Sequence, residues 1–208
     1  YRAILFLALF FSKINANLNL DTYLWVQIES LATEKSINKL LDFASENNFK
    51  DLLVQIRSRD NAAYNSDFVK KPKFISKNFD PLGYIIKKSN DLNINIHAWI
   101  NMYIIWSSKI PPVDKNHLIN RKEQWIDNSF KFQTHIYSNK FLSPIHPNVN
   151  SYLLSVIDEL IKKYNIKGIH LDYIRFKDNH YGNNKFGQNY FSIDQNNKVS
   201  ISFFWEES

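Results

Sequence analysis

Residues 168–176 read GIHLDYIRF, a run that sets an imidazole beside a carboxylate. In an extended chain alternate side chains share a face, so His170 and Asp172 point one way while Ile169, Leu171 and Tyr173 point the other. A carboxylate at a strand end suits attack on a sugar's anomeric carbon, or stabilisation of an oxocarbenium-like transition state, when cations and donors keep it ionised. Arg57 and Arg175 are candidates for that cationic role; a purely structural Asp172–Arg57 pair would use the same residue types without chemistry. His97 and His170 suit hydrogen bonding or substrate positioning better than metal ligation. A metal-dependent hydrolase barrel would want His-x-His on its first strand, and this chain has Gln27-Ile28-Glu29 there. Glu29 is then a possible second carboxylate, or else a partner for Arg57 or a lysine. Tyr64, Trp99, Tyr103, Trp106 and Trp125 add flat aromatic faces of the kind that meet sugar rings. Of these, Trp99 and Tyr103 read as ligand contacts and Trp125 as packing.

The elements that must position these groups alternate between two periods. Residues 23–29 (YLWVQIE), 52–58 (LLVQIRS), 94–101 (INIHAWIN) and 168–174 read as strands. Between them, residues 33–48 form a helical pattern with Thr33 as N-cap and a stripe of Ile37, Leu40, Leu41 and Ala44. Residues 80–90 follow with Asp80 capping and Pro81 at the first position, and residues 147–164 form a strong amphipathic helix. Alternating β and α units predict a parallel sheet covered by helices, as a doubly wound sheet or a (β/α) barrel.

The second face of each strand decides between these. One set of alternate residues is apolar, while the other carries Gln27 and Glu29, Gln55 and Arg57, His97, Trp99 and Asn101, and His170 and Asp172. Under helices on both faces these groups would go unsatisfied, at roughly 1–3 kcal/mol each. A barrel of the (β/α)8 TIM type can instead gather them at its C-terminal rim, where such barrels hold their active sites. About four βα units are legible, whereas a full barrel has eight and about 250 residues. The expectation is therefore the N-terminal half of a barrel in a C-terminally truncated chain, with the barrel domain over residues 21–208.

Composition narrows the class. The chain has 208 residues, 44% of them hydrophobic, which suits one folded domain and not a disordered one. With no cysteine, disulfides, thiolate nucleophiles and thiolate metal sites are excluded. The formal charge of +6 is spread along the chain without a dense basic run, so no nucleic-acid partner is expected. Ala3 to Phe11 (AILFLALFF) lies between Arg2 and the segment Ser12–Ala16, the order of a secretory signal. A bilayer-spanning helix needs about 20 apolar residues, so this run is too short to span. Residues 1–16 are accordingly expected to be a signal peptide, N-terminally incomplete because the chain starts at Tyr1. Its removal would leave an exported protein of the periplasm, envelope or exterior with no stable membrane insertion.

KYNIKGIHLDYIRF (163–176), INIHAWINMY (94–103), LLVQIRSRDNAAYNSDF (52–68), FDPLGYII (79–86) and FLSPIHPNVNSYLLSVIDELI (141–161) together resemble the glycosyl hydrolase-like 10 domain family. The matches cover about residues 23–190 in order. The resemblance implies an exported TIM-barrel protein of glycoside hydrolysis, with bacterial cell-wall glycan as substrate class and no cofactor. It implies Asp172 as nucleophile or stabilising carboxylate, with Arg57, His97, Asn101 and His170 lining the subsite around it. The chain departs from the family at Ser58, where a proline is usual, and at Leu142–Ile145, where an Asn-Pro-Gly-like turn is usual.

The expected function is an exported glycoside hydrolase acting through Asp172, with Glu29, Arg57, His97, Trp99, Asn101, Tyr103, His170 and Arg175 binding substrate and no metal. The alternatives are a non-catalytic carbohydrate-binding barrel or inactive fragment, and a metal-dependent hydrolase or deacetylase. A two-carboxylate mechanism needs a partner acid, for which Glu206 and Glu207 are candidates only by default.

Overall fold

The computed structural model describes residues 22–130 and 139–192. The expected signal peptide, Glu206 and Glu207 lie outside the described residues. The first strand, β1 (Tyr23–Val26), is shorter than its sequence pattern predicts. The Ser30 N–H bonds back to the Gln27 carbonyl at 3.0 Å, curling Ile28–Leu31 into a 3-10 turn. Gln27 and Glu29 thus leave the chain after the strand, not along it.

Helix α1 (Glu34–Glu46) starts at a reciprocal cap. The Ser36 N–H donates to Thr33 Oγ1 at 3.1 Å and the Thr33 N–H to Ser36 Oγ at 3.0 Å, satisfying donors that the first turn would otherwise leave orphaned. Ile37, Leu41 and Ala44 are buried under it, as the stripe predicts. Strand β2 (Asp51–Ser58) follows, then the short β3 (Asn61–Ala62), which folds back on its end. Helix α2 (Pro81–Asn90) begins at Asp80, whose carboxylate accepts the Gly83 N–H at 3.2 Å. Strand β4 (Asn95–Asn101) leads into a segment that holds β5 (Ile104–Trp106), a one-turn helix α3 (Leu118–Arg121) and β6 (Lys140–Phe141), with β5 and β6 paired antiparallel. Helix α4 (Pro147–Lys163) buries Val149, Leu153, Val156 and Leu160, and β7 (Gly168–Asp172) comes next. Helix α5 (Lys185–Ser192), the last among the described residues, occupies what reads as polar loop. Its Gly187 is there for space: a Cβ would lie 2.8 Å from the Ile145 carbonyl oxygen.

Four strands form one parallel sheet in chain order, β1-β2-β4-β7. Leu52, Val54 and Ile56 of β2 and Ile96, Ala98 and Ile100 of β4 face the buried core under the helices. Each fully buried aliphatic side chain contributes roughly 1.5–3 kcal/mol. The opposite face carries the polar and aromatic set in cross-strand register: Gln55 beside Trp99, Trp99 beside His170, and Asn101 beside Asp172.

One residue breaks this alternation. The β2–β4 ladder shifts between Gln55 and Arg57, so that Arg57 pairs with Ile100, a helix-facing residue. Such a bulge inserts one residue and sends the following side chain to the other face. Arg57 is 0% exposed and its guanidinium lies 6.0 Å from the Tyr152 ring of α4. Its Nη1 donates to the carbonyls of Asn101 and Met102, which pins the end of β4. The expected place for Arg57 beside Asp172 is therefore corrected: it supports the rim from behind.

The long β2–α2 connection is tied to α4 through Glu159. The Glu159 carboxylate accepts from the Asp67 N–H and Ser66 Oγ, each at 2.6 Å, from Lys163 Nζ at 2.9 Å and from Tyr64 Oη at 3.2 Å. Burial opposes its ionisation, and these donors outweigh burial and hold its carboxyl below the ordinary range. A depressed folded pKa gives stability that is present above the unfolded value of about 4.5 and is lost as pH falls through the folded one. Glu159→Gln is expected to cost about 1–3 kcal/mol at pH 7 in urea denaturation, and the gap to the parent should narrow as pH falls below the unfolded value of about 4.5. An equal deficit above and below that value would contradict this account.

Candidate active site

At the C-terminal ends of the strands the polar face opens into a cleft of about 270 Å³. Its walls include Gln27 and Glu29 after β1, Gln55 and Ser58 of β2, Asn101 of β4, Phe74 of the β2–α2 connection and Tyr173 after β7. Asn101 is 7% exposed, and among the described residues its Oδ1 has no hydrogen-bond partner. A buried amide oxygen left unpaired costs on the order of 1–3 kcal/mol, so it is primed to accept from a hydroxyl entering the cleft. Among the described residues no hydrogen bond reaches the Glu29 carboxylate, which is exposed in the same wall.

Asp172 stands beside this cleft without lining it; its register partner Asn101 and its chain neighbour Tyr173 form the wall. Both carboxylate oxygens are held. Oδ1 accepts the Tyr173 N–H at 2.8 Å, and Oδ2 accepts Trp99 Nε1–H at 3.1 Å. Tyr173 takes φ +54, a left-handed conformation that is rare for a bulky residue and costs roughly 1–3 kcal/mol. That turn ends the strand alternation and brings Tyr173, which strand periodicity assigns to the helix side, into the cleft wall. The sequence carries no sign of it, since nothing in DYIR marks a left-handed residue.

The other expected site residues are dispersed. His170 keeps to the polar face, edge-on to Trp25 with ring centroids 4.8 Å apart. His97 lies four residues before Asn101 on β4, about 13 Å toward the N-terminal end at 3.3 Å per residue. There it pairs with Asp51, Nε2 to Oδ1 at 2.8 Å, and packs against Gly168, where a Cβ would lie 2.8 Å from its Nδ1. The His97 bond holds the Asp51 carboxyl below its ordinary range against the opposing effect of burial. This pair is remote from Asp172 and braces the foot of the sheet. Tyr103 turns to α4, donating from Oη to Asn150 Oδ1 at 2.7 Å. Burial raises its phenol. Arg175 is exposed, bonds the carbonyls of Phe176 and Lys177, and lies 5.6 Å from the Tyr173 ring. Trp99, 7% exposed, spends its N–H on Asp172. The aromatic faces offered to the cleft are Phe74 and Tyr173. Trp125 packs between Tyr152 and His146, as the sequence predicts. Among the described residues no three or more His, Asp or Glu are grouped as metal ligands, and no helix is long and apolar enough to cross a membrane.

A carboxyl whose acidity burial weakens escapes sequence reasoning. Asp127 is 2% exposed; its Oδ2 accepts the Gly182 N–H at 3.0 Å, which ties the chain after β7 to the segment between β5 and β6. Burial pushes its carboxyl up to about 6, with the Asp178 charge adding and Ser143 and the N–H groups of Asn128 and Gly182 opposing. Ser143 lies near enough to oppose the rise, yet among the described residues neither its Oγ nor Asp127 Oδ1 completes a hydrogen bond. For a raised pKa the contribution to stability is present below the unfolded value of about 3.8 and is lost as pH rises through about 6. Asp127→Asn removes the buried charge and supplies an N–H for Ser143. It is expected to stabilise the protein by roughly 1–3 kcal/mol at pH 8 and by nothing measurable at pH 4. Urea midpoints at the two pH values check this, and a variant less stable than the parent at pH 8 would overturn it.

The profile of the glycosyl hydrolase-like 10 family matches residues 14–201. A glycosyl hydrolase of Bacillus subtilis (strain 168), YngK, is 24% identical over 143 residues, which are 64% of this chain and 26% of that relative. The chain thus spans about a quarter of the curated relative it matches. Among solved structures, α-L-fucosidase isoenzyme 2 from Paenibacillus thiaminolyticus superposes with a TM-score of 0.63 at 14% identity, over 84% of this chain and 26% of that one. A protein from Ruminiclostridium thermocellum ATCC 27405 superposes with a TM-score of 0.58 at 16% identity, over 83% of this chain and 91% of that one. At these identities the likeness is one of fold.

Proposed function

The chain belongs to the glycosyl hydrolase-like 10 family, and from that premise we propose that it supplies the N-terminal four βα units of a (β/α)8-type glycoside hydrolase acting through Asp172. Four parallel strands in chain order are what the first four positions of such a barrel require, and the cleft lies at their C-terminal ends, where barrels of this type do chemistry. The observation that carries the reading is the rim itself: Asp172, fixed by two donors, stands next to a wall of amide, carboxylate and aromatic groups that includes the unpaired Asn101 oxygen. Such walls suit a polyhydroxylated ring, with hydroxyls to the amides and the ring's apolar face to Phe74 or Tyr173.

In the proposed mechanism Asp172 acts as nucleophile or as base and electrostatic stabiliser toward the anomeric carbon, while a second carboxyl protonates the leaving oxygen. Among the described residues Glu29 is the carboxylate in the cleft wall, and it is the candidate for that second role. The substrate is an oligo- or polysaccharide, with bacterial cell-wall glycan the class to test first. Residues 1–16 would direct export, on the strength of the apolar run Ala3–Phe11 between Arg2 and Lys13.

One observation favours a second reading, a carbohydrate-binding module without turnover: Asp172 does not line the cleft and both its oxygens are engaged. Purified cell-wall glycan separates the two. Under the catalytic reading the parent releases reducing ends, and Asp172→Asn loses that activity by about 10³-fold or more while still binding in a pull-down. Hydrolysis that persists in the variant removes Asp172 from the mechanism, and binding without hydrolysis by both proteins favours the module.

A further inference from the structure

Trp99 and Asp172 sit on neighbouring strands, offset by two residues in a ladder that pairs Trp99 with His170 and Asn101 with Asp172. At that offset the indole reaches diagonally along the sheet, and its N–H meets Asp172 Oδ2 at 3.1 Å. The ring has little freedom to do anything else. It is 7% exposed, and the Trp25 ring meets it edge-on at 4.8 Å and 85°, while the same Trp25 meets His170 at 4.8 Å and 84°. A neutral donor fixed by packing holds a carboxylate without an ion pair, which matters here because Arg57 lies on the helix side. The other oxygen is fixed by the Tyr173 N–H, whose direction is set by the left-handed turn at that residue.

We propose that Trp99 is a positioning residue for Asp172: its indole N–H, locked by Trp25, fixes the carboxylate rotamer so that the Tyr173 N–H and the reacting carbon meet different lone pairs. The inference rests on the catalytic reading of Asp172, but the orientation itself can be measured without a substrate. It also reassigns Trp99 from the sugar to the acid that attacks the sugar.

The test is hydrogen exchange and NMR on the ¹⁵N-labelled full chain. In Trp99→Phe the Tyr173 amide should exchange at least about tenfold faster, while the Met102 amide, bonded to the Asp172 carbonyl at 2.8 Å, stays protected as an internal control. Unchanged Tyr173 protection beside a protected Met102 overturns the proposal. Asp172→Ala reads the same contact from the other side and does not depend on Trp99→Phe folding. The Trp99 indole resonance should move and exchange about tenfold faster, while that of Trp106, which donates to the Ile110 carbonyl at 2.8 Å, should not; an unmoved Trp99 signal overturns the proposal. On any 4-nitrophenyl glycoside that the parent hydrolyses, Trp99→Phe should lower kcat by about 10²-fold with KM within about twofold. A raised KM at unchanged kcat would make Trp99 a sugar contact and contradict the assignment. A parent inactive on every such glycoside counts against the catalytic reading alone, and the exchange measurements then decide the positioning.

Discussion

The parallel ladder between β4 and β7 carries the rest of the site. Five residue pairs, from His97–Gly168 to Asn101–Asp172, fix the side to which each side chain points and its height along the sheet. Because side chains alternate with a period of two, a slip of one residue would send Asp172 under the helices and bring Leu171 to the cleft side. The ladder also continues into the loop as backbone: the Met102 N–H bonds the Asp172 carbonyl and the Tyr103 N–H the Tyr173 carbonyl. The unusual turn at Tyr173 is therefore anchored at its own carbonyl, as a strained residue must be to persist.

Around that ladder the molecule divides by polarity. The helix side holds the aliphatic core, closed by capped helices whose stripes match it. Besides the Glu159 carboxylate, that side holds Arg57, a buried guanidinium whose Nε and Nη2 have no hydrogen-bond partner among the described residues. Its remaining donor holds the Asn101 and Met102 carbonyls, so the cation stabilises the backbone from which Asn101 and the β4 end project. On the other side the polar groups fall into tiers. His97 and Asp51 pair at the foot, Trp25, Trp99 and His170 make an aromatic middle, and Asn101, Asp172 and Tyr173 form the rim. The middle tier converts packing into orientation, since the ring that fills space there also donates to the acid above it.

Much of this is legible in the sequence, for reasons of period. The helices at residues 34–46, 81–90 and 147–163 announce themselves by caps and apolar stripes, and the four parallel strands by apolar residues at every second position. Asp172 and Asn101 fall on the expected face. Arg57 does not, because LLVQIRS alternates without interruption and the bulge arises only in the pairing with β4. His97 is assigned the right face and the wrong tier; alternation says nothing of its height relative to Asp172, which depends on the register between β4 and β7, segments about 70 residues apart. Tyr173 needs a left-handed turn that its residue type does not advertise. Asp127 carries no signal in QWIDNS and is buried where the segments around Ser143 and Gly182 close over it. These four positions share one cause: each depends on contacts distant in the chain, while periodicity reports only local geometry.

In the proposed reaction the Asp172 carboxylate faces the reacting carbon of a sugar held by the cleft. A crystal structure of the Asp172→Asn variant with an oligosaccharide fragment of cell-wall glycan tests it most directly. The expected complex seats a ring between Asn101 and Tyr173, with a hydroxyl donating to Asn101 Oδ1 and an anomeric carbon within about 3.5 Å of the residue-172 amide, or one water away if that group acts as a base. A sugar bound with its anomeric carbon turned toward solvent, or seated away from Asn101, would contradict it.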